Sequence, residues 1–384
     1  MWLYNIGTLF TGNRFLENAN LQVENGLVKL ITQDIHQPNQ NDIDCGGKVL
    51  TPGFVDCHTH LVFSGSRAHE FELRAKGASY AQIMRVGGGI RNTVRATRNS
   101  SKQELIDLAM PRLARMHARG VSTVEVKSGY GLSLDSELKM LEVIAELNKL
   151  QPAELVATFL GAHAIPPEYE ADTYVQHVIK DMLPAVKAQG IATACDVFVE
   201  QGAFSVNHGR QILTAAARMG FKTRLHAEQL SHSDGAILAA ELETLSASHL
   251  EYATREDAVA LADAGVIAEL LPVAQEYLGM KQLASGRMLT DAGVKVAIAT
   301  DFNPGSAMCD NLLLAAQLGI TRCGLTCEEA LLGITNYGAL ALGRSDIGSL
   351  EVGARARCNL MSSANWVDMF YDWSVNPVEK ALIF

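Results

Sequence analysis

From about residue 54 to residue 301 the chain alternates short apolar runs with longer amphipathic stretches. The apolar runs predict eight strands, at 54–60, 121–127, 155–163, 195–200, 221–226, 244–249, 266–271 and 294–301. Between them, Leu105–Ala118, Ser136–Leu150, Tyr174–Gln189, Gly209–Met219, Asp234–Glu241 and Arg255–Ala264 repeat their apolar residues at helical spacing. Alternation over eight units predicts parallel strands joined by right-handed crossovers, and so an α/β fold of the (β/α)8 barrel type. The competing doubly wound open sheet lacks a Gly-x-Gly-x-x-Gly after any strand.

Both ends of the chain carry a different pattern. Trp2–Ile6, Ala19–Val23 and Val28–Ile31 read as short strands, with turns at Thr11-Gly12-Asn13 and Glu24-Asn25-Gly26. Ala356–Met361 and Ala381–Phe384 look similar. Short strands need a partner sheet to bury one face. Residues 1–53 and 347–384 are therefore expected to form one small β-sandwich domain beside a barrel of residues 54–346.

Composition narrows the function class. With 384 residues, 48% of them hydrophobic, the chain can bury a large core. A formal charge of −10 without a basic stripe argues against a nucleic-acid partner. No run approaches the ~20 apolar residues of a membrane span, and the first residues lack the basic start of a signal peptide. Seven scattered cysteines fit reduced thiols in a cytoplasm.

The polar residues then fall into a pattern. The predicted strands end in His60, Lys127, His163, Glu200, His226, His249 and Asp301. A barrel gathers these ends at one face, where active sites lie. Asp56-Cys57-His58-Thr59-His60 can aim two imidazoles at one point, because residues two apart on a strand share a side. Alone, that pair reads equally well as two solvated loop histidines. Five histidines at or beside the strand ends, His58, His60, His163, His226 and His249, converging with Asp301 favour a metal centre of zinc or iron with an open position for water. His36, His117 and His177 fall in loops or helices and read as surface residues. Cys323 and Cys327 have no second close pair, which argues against a zinc finger.

Thr51-Pro52-Gly53-Phe54-Val55-Asp56-Cys57-His58-Thr59-His60 resembles the first metal motif of the amidohydrolase superfamily. Further segments are similar to the imidazolonepropionase family within it, the cyclic-amide hydrolases of histidine breakdown. These are Leu61-Val62-Phe63 with Ser66-Arg67; Gly87-Gly88-Gly89-Ile90 before Thr93–Arg98; Glu125–Gly131; Phe159–His163; Leu225–Gln229; and Ala299–Ser306. They are collinear from about residue 50 to 310.

The resemblance implies a substrate, 4-imidazolone-5-propanoate, opened to N-formimidoyl-L-glutamate by a metal-activated water. It implies His58, His60, His226 and Asp301 as metal ligands, with Asp301 also accepting the water's proton. His249 would steady the developing oxyanion or shuttle protons; its plainer role is to orient a ligand. Arg67 would take the substrate carboxylate, with Tyr130 and His163 beside it. Gln229, Asn303, Gly305 and Ser306 would line the ring and product end. Without the family, Arg67 reads as a surface salt bridge and Tyr130 as a loop-packing aromatic. A cytoplasmic homodimer is the expected assembly.

Some residues depart from the family's pattern. Gln229 stands where some relatives carry Glu, so it can hydrogen-bond but not act as a base. Leu271–Tyr277 differs from the small, aromatic-rich run expected there and is expected to reshape a wall of the site. Arg355-Ala356-Arg357-Cys358-Asn359-Leu360 lacks the Ala-Asp-Leu usual near the end of these chains. Lys127 is expected to be a structural or substrate-facing amine rather than a carboxylated metal bridge. Gly87–Ile90 lacks the Gly-Lys-Ser/Thr ending of a phosphate loop and reads as a mobile loop covering the site. The rival readings are a related deaminase that reads the edge of a heterocycle, and a catalytically dead barrel that only binds.

Overall fold

The computed structural model describes residues 1–77 and 88–384. Near the amino end, β1 (Trp2–Phe10), β2 (Phe15–Glu24), β3 (Leu27–Thr32), β4 (Ile43–Asp44) and β5 (Val49–Pro52) belong to one mixed sheet. Its path runs β15-β14-β5-β1-β2-β3, with β14 (Arg357–Met361) and β15 (Val378–Ile383) supplied by the other chain end. The β2–β3 turn places Asn25 at φ 52° and Gly26 at φ 76°, the left-handed pair a tight hairpin requires. Leu3, Ile6, Leu9, Leu21, Val28, Leu50 and Cys358 fill the core of this sheet and are fully buried. At Gly53 the chain leaves for the barrel. A Cβ there would lie 2.3 Å from Ser122 Oγ, so only glycine allows the crossing.

The barrel strands are β6 (Phe54–Asp56), β7 (Val121–Lys127), β8 (Glu154–Ala162), β9 (Ala194–Phe198), β10 (Lys222–Ala227), β11 (Ser246–His249), β12 (Ile267–Leu270) and β13 (Val296–Ile298). They pair in parallel in sequence order from β6 to β13. Closure comes just beyond the outer two strands. Thr59 bridges Phe302, the His60 amide donates to the Phe302 carbonyl at 3.0 Å, and the Asp301 amide donates to the His58 carbonyl at 3.0 Å. The Asp56 carboxylate adds a buried tie, accepting from the Thr300 amide at 3.1 Å and its hydroxyl at 2.7 Å.

The first and eighth strands are shorter than the pattern predicts. His58, His60 and Asp301 therefore stand in irregular backbone past the strand ends, not on the strands. At the eighth strand Asp301 holds φ 51°, which a strand cannot accommodate, and at the first the chain past Asp56 is turned to the closing contacts with residues 300–302. Helices lie close to their predicted spans, and Lys102–Ala118 starts at a Ser101/Glu104 capping box. The single helix expected over Tyr174–Gln189 is three pieces, Ala171–His177, a wider π turn over Val178–Met182, and Leu183–Gln189. Pro184 has no amide to give the preceding turn, which loosens there. Among the described residues, no helix is long and apolar enough to cross a membrane.

Candidate metal centre and active site

Three histidines meet where the barrel closes. One ring nitrogen each from His58, His60 and His226 lies within 4.8 Å of the others, and all three residues are buried. Each is oriented from behind. His58 Nδ1 sits 3.0 Å from Glu269 Oε2 and 3.1 Å from Ser248 Oγ. His226 Nδ1 sits 3.1 Å from Asp196 Oδ1. His60 stacks on the His163 ring at 4.8 Å. Asp301 Oδ1 completes the group, 3.4 Å from His60 Nε2 and 3.6 Å from His58 Nε2.

The residues fit a metal. His58 Nε2 and His226 Nε2 are buried and have no hydrogen-bond partner. Such an atom is costly unless something binds it. Burial holds His58 well below the ordinary histidine range, and it holds His226 at about 4. Both imidazoles are thus neutral, the form that ligates. Carboxylates behind ligating histidines are the usual support of such a site. Asp301 stays below the usual carboxylate range although burial opposes it, because His60 hydrogen-bonds and attracts the anion.

Behind the histidines lies a charged barrel interior. Lys127 Nζ sits 2.9 Å from both Glu125 Oε1 and Asp196 Oδ2, with all three side chains fully buried. Lys127 is therefore a structural amine. Of its two expected roles, the substrate-facing one is corrected, since two carboxylates occupy it inside the barrel. Arg224 reaches Glu269 Oε1 at 3.2 Å. The acids of this network were not singled out in the sequence.

In front of the histidines opens a cavity of about 1100 Å³. His60, His226, His249 and Asp301 face it, as do Arg67, Tyr130, His163, Gln229, Asn303, Gly305 and Ser306. Arg67 donates through Nε to Glu70 Oε2 at 2.9 Å, while Glu70 Oε1 accepts from the Gly89 amide at 3.0 Å. Its guanidinium lies so close to residue 305 that a Cβ there would come within 1.9 Å of Nη1. Glycine at 305 is thus what makes room for Arg67.

Tyr130 rides on a loop gripped by Glu137, whose carboxylate accepts from the amides of Gly129, Gly131 and Leu132. Burial pushes the Tyr130 phenol up, so it remains a hydrogen-bond donor. Asn303 spends its amide on its own turn: Oδ1 accepts from the Gly305 and Ser306 amides at 2.8 Å, and Nδ2 donates to the Asp301 carbonyl at 2.7 Å. His249, at φ 80°, brings Nδ1 to 3.6 Å from Glu251 Oε1. Burial is the largest influence and lowers its pKa, but Glu251 together with Asp301 and Asp196 makes the net shift upward.

Other expected residues fall elsewhere. Glu200 accepts from the Leu230 amide at 2.8 Å and bonds the Ser231 hydroxyl, so it braces the loop after β10. His36, His117 and His177 stay out of the site but are half-buried rather than surface residues. His36 Nε2, for instance, meets Asp42 Oδ2 at 2.9 Å. Much of the Leu271–Tyr277 run forms the helix Pro272–Leu278, and Leu278 and Met280 wall the cavity. Gly87, of the expected covering loop, lies outside the described residues, whereas Gly89 caps the helix Ile90–Asn99.

Comparison with known proteins agrees with this architecture. The Amidohydrolase family model matches residues 49–380. An imidazolonepropionase of Myxococcus xanthus is 47% identical over 340 residues, which cover 88% of this chain and 81% of that one. One from Fusobacterium nucleatum is 40% identical, covering 98% and 96%. Among solved structures, a 5-methylcytosine deaminase from Klebsiella pneumoniae superposes with a TM-score of 0.75 at 16% identity, covering all of this chain and 96% of that one. A mutant atrazine chlorohydrolase from Arthrobacter aurescens, complexed with zinc and atraton, gives 0.71 at 18%, covering 100% and 93%. At these identities the two structures show the fold alone. With eight parallel strands, a sheet from both chain ends and relatives alike over most of their length, the chain belongs to the imidazolonepropionase family of the amidohydrolase superfamily.

Proposed function

We propose that this chain hydrolyses the cyclic amide of 4-imidazolone-5-propanoate to N-formimidoyl-L-glutamate, with one zinc or iron ion held by His58, His60, His226 and Asp301. The supporting observation is one cavity that joins His60 and His226, two members of the buried three-histidine cluster, to an arginine held in place by a carboxylate. A metal there supplies Lewis acidity, lowering the pKa of water and polarising a carbonyl.

The chain's residues do the rest. Arg67, fixed by Glu70, takes the propanoate carboxylate and sets the depth of the ring. Tyr130 and His163 position the ring from one side and Gln229 hydrogen-bonds it. Asp301 accepts the proton of the attacking water and returns it to the ring nitrogen as the C–N bond breaks. The water oxygen becomes part of the new carboxylate. His249, kept chargeable by Glu251, steadies negative charge developing on the carbonyl oxygen. Ser306, whose hydroxyl lies 3.4 Å from Asp301 Oδ2, borders the product end.

The same reading divides the chain into an end domain of 1–53 and 347–384 and a catalytic barrel of 54–346. Its support is the break between β5 and β6 at Gly53. It also takes the protein as a cytoplasmic homodimer, in keeping with the absence of disulfides among its cysteines. The test is turnover of freshly generated 4-imidazolone-5-propanoate beside a heterocycle without a carboxylate. Hydrolysis of the first alone supports the reading. Release of ammonia from the second, with the first left at its spontaneous decay, would replace it with a deaminase.

A further inference from the structure

Five arginines line the cavity, Arg67, Arg74, Arg91, Arg95 and Arg98, against the acids Glu168 and Asp301. In a chain of net charge −10 this is a local reversal of sign. Three of the five have fixed duties. Arg67 is held by Glu70. Arg74 lies over the Phe71 and Tyr277 rings and reaches the Gly305 carbonyl at 3.3 Å. Arg98 binds the Gly131 and Leu132 carbonyls and Glu168.

Arg91 and Arg95 differ. Both are exposed, and among the described residues neither has a carboxylate within salt-bridge distance. Arg95 meets only the Asn92 side chain, at 3.4 Å. They stand four apart on the helix Ile90–Asn99. Like charges at that spacing repel and destabilise a helix. Among the described residues the acid nearest the pair is Glu168, which Arg98 binds and whose carboxylate Arg91 helps only slightly to hold below its usual range, so the positive charge of the pair is left facing the cavity mouth. The cavity they border leads to Arg67, which is only 12% exposed at its side chain.

We infer that Arg91 and Arg95 form an outer capture station that draws a small carboxylate anion into the cavity and hands it to Arg67. The inference rests on the carboxylate substrate proposed above. A cationic mouth with low-dielectric walls raises the local anion concentration, an effect that salt abolishes. The Debye length falls from about 30 Å at 0.01 M salt to about 3 Å at 1 M. The station thus acts on capture and not on the bond-breaking step.

The test compares the metal-loaded parent, Arg91→Gln/Arg95→Gln, and the charge-keeping Arg91→Lys/Arg95→Lys, each assayed on 4-imidazolone-5-propanoate across ionic strength. Arg210→Gln, which removes an arginine paired with Glu241 outside the cavity, serves as control. At about 0.01 M salt the glutamine pair should lose about tenfold in kcat/KM with little change in kcat, and meet the parent within about twofold near 0.5 M. The lysine pair and the control should follow the parent. A glutamine pair equal to the parent at low salt would overturn the inference alone. So would a loss that persists at high salt or is shared by the lysine pair, since that would make the arginines structural. A parent that leaves the substrate at its spontaneous decay would overturn the function proposed above, and this inference with it.

Discussion

The two ends of the barrel handle charge in opposite ways. At the amino end of β8, Glu154 meets Arg344 and Arg355 at 2.7 Å each, and Arg344 also holds Asp346 at 2.6 Å. Each of these side chains keeps some contact with water. At the carboxyl end, His58, His226, His249 and Glu251 are buried and present ring nitrogens or carboxylate oxygens without hydrogen-bond partners. Asp301 and His249 there also hold left-handed backbone that non-glycine residues avoid. The amino end is tied together by these ion pairs. At the other, the free Nε2 atoms of His58 and His226 converge on a point where a metal would satisfy them, while His249 Nδ1 and Glu251 Oε1 face each other at 3.6 Å.

The largest effect should come from completing or emptying that point. Chelation, or His226→Ala, should reduce hydrolysis to background and lower Tm, because a ligand bound only by the folded state stabilises it. Metal analysis and a melting curve on the same sample check both parts. A His226→Ala protein with full metal content and activity would remove this residue from the centre.

Next in size is the substrate anchor. Arg67→Gln should raise KM by about 10- to 150-fold, the equivalent of 1.5–3 kcal/mol for hydrogen bonds to a charged group, with a smaller change in kcat. Steady-state kinetics decide it, and an unchanged KM would return Arg67 to the role of a salt bridge with Glu70.

The support behind the ligands should matter less. Asp196→Asn should weaken metal binding by about 10- to 100-fold, read by competition with a chelator, since this carboxylate orients His226. The smallest effect belongs to the opposite end. Glu154→Gln should lower Tm by about 2 °C, as expected for loss of about 1 kcal/mol from a partly solvated network, and leave turnover unchanged. If Glu154→Gln cost more activity than Asp196→Asn, the contrast between the two ends would collapse.

The same contrast explains what could be read from the sequence. Eight apolar runs and the residues ending them were legible, because strand ends in a parallel barrel converge whatever the loops do. Thus His226 and His249 could be placed with His60 from order alone. The polar interior behind the ligands was legible in principle. Thr123, Glu125 and Lys127 alternate with apolar residues in β7, and Arg224 and His226 do so in β10, which is the mark of a polar barrel interior. Their partners were not, since nothing along the chain says that Asp196 meets Lys127 or that Glu269 meets His58. Nor could the shortness of β6 and β13 be read, because it arises from closure between residues more than 240 apart. The role of Gly305 emerges only when Arg67 is seen against it.

The most direct test of the central claim, that Asp301 moves the proton at a metal held by three histidines, is hydrolysis by Asp301→Asn beside the parent, with bound metal measured in both. The account predicts fast formation of N-formimidoyl-L-glutamate by the parent and near-background decay with Asp301→Asn, even where that variant retains metal. A metal-loaded Asp301→Asn protein that turns over at the parent's rate would contradict it.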